Sequence, residues 1–230
     1  MSASSPRGYE YNYTISNAGD AQDVIQNWSV IIPAGRSERE EPQISGSDQW
    51  NGGRSYPPIM RQVEMPDQPL GRVVVWVQDE TDRMLTAGAS QAGFRIESPC
   101  RPGFTTALFN SGMFPNIDQE LPEEVFRQLA FYNDPTWRSV PALTFGPMFC
   151  GETPQREIVR NMTSGIKRSI ETGLVKSTSQ FAREALEQLN SIRQNEGGVT
   201  PVLSLPPSGG FEEEIFKALQ LSLRFSIAVH

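Results

Sequence analysis

The apolar residues of this chain change their spacing near residue 153, and that change limits the fold more than any single motif does. Before it, short runs either alternate apolar and polar residues or are apolar throughout, and Gly and Pro separate them; after it, apolar residues recur every three to four positions. A two-residue period puts side chains on opposite faces of a strand, whereas a period near 3.6 lines one face of a helix. The pattern predicts an α+β chain, with a β-rich N-terminal part that is sheet or sandwich-like, a helical C-terminal segment and a final C-terminal strand. Residues 1–150 are expected to be mainly β with one short helix. Residues 151–230 are expected to form the helical region and the terminal strand, packed with the first part as one unit.

In the first part, Tyr9, Tyr11, Tyr13 and Ile15 alternate with Glu10, Asn12 and Thr14, the signature of a strand with one buried face. Trp28 to Ile32 reads as a second strand, ended by Pro33. Leu70 to Asp79 reads as a third, apolar on both faces through Val73, Val74, Val75, Trp76 and Val77, and therefore central in a sheet. Asp79 to Asp82 is expected to turn the chain into a returning strand at Ala92 to Glu97, with weaker strands at Phe104 to Phe109 and Val140 to Cys150. Pro122 to Ala130 fits a short helix with Glu123 and Glu124 at its positive end, and Asn17 to Asn27 is a second short-helix candidate. Residues 33–69, with their charge run at Glu38 to Glu41 and six prolines, read as a long surface loop.

In the second part, Thr153 is a candidate cap for a helix carrying Ile158, Val159, Met162, Ile166 and Ile170 on one face. Gly165 weakens that helix and Gly173 ends it. A second helix is predicted over Ser179 to Asn195, with Phe181, Ala182, Ala185, Leu186, Leu189 and Ile192 within an arc of about 140°. From Leu219 the apolar residues Leu221, Leu223, Phe225, Ile227 and Val229 alternate with Gln220, Ser222, Arg224 and Ser226. That alternation predicts a half-buried terminal strand, following a helix whose first turn is Glu212 to Glu214 and which runs through Ile215, Phe216 and Leu219.

Residue inventory excludes most chemistry. The single His is His230, so neither a catalytic triad nor a Cys-His dyad has an imidazole elsewhere in the chain. Zinc would need four ligands, and no paired spacing prepares them. Gly52-Gly53-Arg54-Ser55 lacks the earlier Gly and the Lys of a phosphate loop. Asp79, Glu80 and Asp82 could bind a divalent cation or do acid–base work, but a solvated hairpin turn with Arg83 as partner is the favoured account of them. The expectation is no cofactor and no metal. Cys100 and Cys150 lie 50 positions apart without a framework around them, and read as reduced thiols.

The start of the chain lacks the apolar core of a secretion signal, and the longest apolar run, Val73 to Val77, is too short for a membrane span. An intracellular setting, in cytoplasm or within a virus particle, is the expectation, and the sequons at Asn12, Asn27 and Asn161 carry no weight there. The net charge is −7, from 27 acids and 20 bases, which argues against a broadly basic nucleic-acid surface. The imbalance belongs to residues 1–150, with 18 acids and 11 bases, while residues 151–230 hold nine of each. Arg156, Arg160 and Lys167 fall within about 40° of one another on the first helix, beside Arg168, and form a candidate anion-binding or interface ridge.

Arg outnumbers Lys by 17 to 3, and Arg makes planar, multidentate contacts across interfaces. With apolar strands at both ends of the chain, this favours a non-enzymatic structural protein that self-associates, of the viral coat or matrix type. Tyr9, Tyr11, Tyr13, Leu223, Phe225 and Ile227 are the assembly-strand candidates, and Trp50 on its polar loop is a candidate interface anchor. The expected partner is the chain itself, with other proteins second and weak or no nucleic-acid binding. The alternative is an intracellular adaptor module that uses the 33–69 loop and the 153–195 helices. A carboxylate-based hydrolase, with or without a metal, is third.

Overall fold

The alternation at the N-terminus becomes a strand whose every second side chain enters a core. In a computed structural model, which describes residues 2–5, 8–33, 42–46, 59–65, 68–78, 84–110, 140–194 and 201–228, Tyr11, Tyr13 and Ile15 are buried while Asn12, Thr14 and Ser16 are exposed. The elements run β1 (Ser2–Ser5), β2 (Gly8–Ser16), β3 (Asn27–Pro33), β4 (Gln43–Ser45), β5 (Ile59–Met65), β6 (Gln68–Val77), β7 (Ser90–Ser98), β8 (Arg101–Asn110) and β9 (Val140–Phe149). There follow α1 (Gln155–Glu171), α2 (Gln180–Gln194), β10 (Val202–Leu203), α3 (Phe211–Leu223) and β11 (Ser226–Ile227). The fold is α+β, with a β-rich first part and a helical second part that ends in a strand pair.

Two antiparallel sheets, in the orders β1-β2-β7-β4 and β5-β6-β3-β8-β9, share one core, and β10 and β11 form a small parallel pair. Tyr11, Tyr13 and Ile15 of β2 and Phe94 and Ile96 of β7 meet Trp28, Val30 and Ile32 of β3 with Val74 and Trp76 of β6. Trp28 and Trp76 are direct cross-strand partners, and their rings stack at 4.4 Å. Tyr13 and Phe94 meet the Trp28 ring edge-on at 5.5 and 5.0 Å, the arrangement that sets the positive ring edge against the negative face. The Trp76 indole N–H donates to the Ser45 carbonyl, which ties the short edge strand β4 to this cluster.

The other face of β8 and β9 carries a second core. Phe104, Phe145 and Phe149 pack with Ile158, Val159, Met162 and Ile166 of α1 and with Ile215, Ala218 and Leu219 of α3. Helix α2 adds Phe181, Ala182, Ala185 and Leu189 from behind α1. Helix α1 approaches β8 so closely that a Cβ at Gly165 would lie 2.0 Å from the Phe104 ring. Beside it, the Asn161 amide donates to the Phe104 carbonyl and accepts from the Phe104 N–H, both at 2.9 Å. Pairing of β8 with β3 stops at Ala107, so the side-chain amide supplies Phe104 with the partners that a neighbouring strand would otherwise provide.

Several expectations are corrected. Asn17 to Asn27 is not helical. The Asn17 side chain donates to the carbonyl of nearby Asp23 and to that of distant Leu85, bonds that compete with a helix, and Ile25 bridges to Leu85. The stretch 33–69 is not one loop, because β4 and β5 form within it. Strand β7 does not return beside β6; it pairs with β2 and β4 in the other sheet. Helix α1 starts at Gln155, and the Thr153 hydroxyl donates to the Cys150 carbonyl rather than capping it. The terminal alternation is only partly a strand: α3 continues to Leu223 because Ile215, Ala218, Leu219 and Ser222 recur at helical spacing toward the core. Arg224 then takes a left-handed φ of 59° and stops the helix, leaving two residues in β11. The Pro122 helix, the Asp79–Asp82 turn and Gly52 to Ser55 lie outside the described residues.

Cys100 and Cys150 are not free thiols; they form a disulfide, with Cα atoms 4.2 Å apart. Pairing of β8 with β9 brings Arg101 opposite Phe149, so the two cysteines flank the same rung and their proximity is a product of strand register. The bond closes a loop of about 50 residues, which in the chain-entropy picture stabilises the fold by about 4 kcal/mol. Cys100→Ser with Cys150→Ser is expected to lower unfolding free energy by about 2–4 kcal/mol in urea titrations. Gly165→Ala raises intrinsic helix propensity, yet the Phe104 contact predicts a loss of about 1–3 kcal/mol from overpacking. A raised urea midpoint for that variant would contradict the packing account.

Candidate functional site: a cationic helix face and the β2 edge

Helix α1 buries Ile158, Val159, Met162, Gly165, Ile166 and Ser169, which share one arc and leave the opposite arc to solvent. Arg156, Arg160, Lys167 and Arg168 are all exposed on that outer side. At 1.5 Å per residue, Arg156 and Lys167 are separated by about 16 Å along the axis. None of the four forms an ion pair among the described residues, although Glu157 and Glu171 share the same outer arc. Arg95 and Lys217 behave differently. Arg95 meets Glu10 at 2.9 Å and Glu97 at 2.6 Å, and Lys217 meets Glu214 at 3.0 Å and Glu213 at 3.6 Å.

The N-terminal assembly candidates occupy a different surface. Tyr9 is half-buried, and Tyr11 and Tyr13 point into the sandwich, where their hydroxyls donate to the carbonyls of Cys100 at 2.7 Å and Phe145 at 3.1 Å. Burial raises the pKa of both phenols and keeps them protonated as donors. The backbone of the same strand is less fully engaged. Strand β1 meets β2 only at Ser2↔Glu10 and Ser5↔Gly8, so among the described residues Asn12 to Ser16 are paired on the β7 side alone. At the other end of the chain, Leu223 closes α3, Phe225 is buried in the helical core, and Ile227 pairs with Leu203. Trp50 and His230 lie outside the described residues.

A cleft of about 510 Å³, not anticipated from the sequence, lies between the first turns of α2 and α3, lined by Lys176, Ser179, Phe181, Leu205, Pro207 and Glu212 among others. Its sequence signals were Ser179, whose hydroxyl accepts the Ala182 N–H as an N-cap, and the Pro206-Pro207 pair. Glu212 is buried here. Burial raises its pKa, but hydrogen bonds from Ser179 and Ser208 and the charge of Lys176 outweigh that and hold it below the ordinary carboxylate value. Glu184 on α2 behaves similarly: burial raises its pKa, and bonds from the Ser204 hydroxyl and the Ser204 and Leu205 N–H groups lower it further than burial lifts it. These carboxylates fasten the 201–208 segment to α2 and α3.

Among the described residues there is no cluster of three His, Cys, Asp or Glu side chains suited to a metal ion, and no helix is long and apolar enough to cross a membrane. Comparison with protein-family models, curated proteins and solved structures finds no match for the chain.

A carboxylate whose pKa is lowered by folding contributes stability that is full above its unfolded value and is lost as pH falls through the folded one. For Glu184 and Glu212 the loss is therefore expected below about pH 4.5, their ordinary value. Glu184→Gln is expected to lower stability at pH 7 and to flatten the acid limb of the stability profile, both read from urea midpoints across pH. An unchanged acid limb would separate Glu184 from the acid response.

Proposed function

We propose that this chain is a non-enzymatic structural protein that associates with copies of itself, of the viral coat or matrix type. The observation that carries the reading is the edge of β2, where among the described residues Asn12 to Ser16 pair on the β7 side alone. A strand with free N–H and C=O groups along one side is a template for a strand from another chain. Two features bear on where such pairing occurs. The segment Asn12 to Ser16 has no proline, whereas the edge strand β9 carries Pro141 and Pro147, which cannot donate to a ladder. The short β4 and β1 offer little length for pairing.

A second reading, an adaptor that presents the α1 and α2 helices to another protein, is supported by the cleft at Ser179 and Glu212. The two differ in what purified protein does alone. An assembling protein grows in mass with concentration; an adaptor stays small until its partner is added.

Light scattering with electron microscopy of purified protein is expected to show mass above the monomer. Asn12→Lys with Thr14→Lys places charges on the exposed side chains of that edge. That variant is expected to reduce association while changing stability by no more than about 1 kcal/mol. A strict monomer at every concentration and salt would overturn the self-associating reading.

A further inference from the structure

The disulfide lies where the two layers of the molecule meet, and its surroundings are fixed from both. Cys100 is 2% exposed and Cys150 9%. Three hydrogen bonds close on the backbone around them, each from a different part of the fold. The Tyr11 hydroxyl of β2 donates to the Cys100 carbonyl at 2.7 Å, the Thr153 hydroxyl before α1 donates to the Cys150 carbonyl at 3.0 Å, and the Ser222 hydroxyl near the end of α3 donates to the Pro102 carbonyl at 2.6 Å. We propose that this bond is a redox lock, reached by a small thiol only when the fold opens as a whole, so that a bond made during folding outlasts the chain's transfer to reducing surroundings.

Reduction by glutathione takes two exchanges. In the first, a glutathione thiolate attacks one protein sulfur, a mixed disulfide forms, and the other cysteine leaves as a thiolate. In the second, another glutathione thiolate attacks the mixed disulfide; two electrons have then passed to the protein pair, and glutathione disulfide departs. The first exchange requires a thiolate to touch a protein sulfur, and burial of both cysteines denies it that access.

Fraying of a single segment does not restore the access. Cys100 is the corner between β7 of the four-stranded sheet and β8 of the five-stranded one, and Cys150 follows β9, which pairs with β8 from Arg101 to Phe109. Swinging either cysteine outward breaks into that ladder, whose Phe104, Phe145 and Phe149 carry the helical core. Helix α3 is pinned to the same corner, because the Arg101 guanidinium donates to the Ser222 carbonyl at 3.5 Å while the Ser222 hydroxyl donates to Pro102. Tyr11, which holds the other side, belongs to the aromatic core between the sheets. The segments that must part thus belong to both cores, and an opening of that extent approaches global unfolding in free energy.

The test is the rate at which the oxidised full chain loses its disulfide in reduced glutathione, across urea concentrations below the unfolding transition. Free thiols are counted by maleimide labelling and mass spectrometry after an acid quench and removal of glutathione, at thiol concentrations where the rate is proportional to thiol, so that reclosing outruns attack. Without urea the rate is expected to lie at least about a hundredfold below that in unfolding urea, and its logarithm to rise with urea at the slope of equilibrium unfolding. Gly165→Ala, which touches neither cysteine, is expected to speed reduction by the factor by which it raises the unfolding equilibrium constant, about 5–150-fold for its overpacking of Phe104. The urea slope of wild type decides the matter alone if that variant does not fold. A wild-type rate that is fast in the absence of urea, or that stays constant as urea rises toward the transition, shows local exposure and overturns the lock. So does a destabilised Gly165→Ala chain that is reduced no faster than wild type.

Discussion

Strand β8 is the wall on which the rest of this molecule depends, because it is buried on both faces by two different cores. Ala107 and Phe109 face the aromatic interior between the sheets, while Phe104 faces the helices. A strand buried on both sides must satisfy its backbone without water, and β8 does so with three kinds of partner: β9 along its length, β3 as far as Ala107, and the Asn161 amide beyond. Gly165 then matters for what it lacks. Any side chain there would push α1 off Phe104 and open the helical core.

The corner before β8 is braced from both layers. Cys100 sits where the chain leaves the four-stranded sheet for the five-stranded one, and its disulfide joins the end of β9 just before α1. Tyr11 donates to the Cys100 carbonyl and Thr153 to the Cys150 carbonyl, so strand, bridge and helix entry are tied within a few residues. Tyr13 extends the same logic from β2 to the Phe145 carbonyl of β9. These buried hydroxyls turn the inner face of β2 into a brace.

The α+β class, the strand at Tyr9 to Ile15 and the spans of α1 and α2 were legible in the sequence, because hydrophobic period is a local property that each segment carries by itself. The cationic row on α1 was legible for the same reason: helical spacing alone puts Arg156, Arg160 and Lys167 together. What tertiary structure decided was every choice between locally acceptable alternatives. Leu219 to Leu223 satisfies both periods, and it is helical because Leu219 and Ser222 face the helical core while Arg224 can turn left-handed. The partner of β7, the disulfide, the Asn161 clamp and the need for glycine at position 165 all join residues far apart in the chain. No local spacing encodes such pairs, since they exist only once the strand register has set which atoms meet.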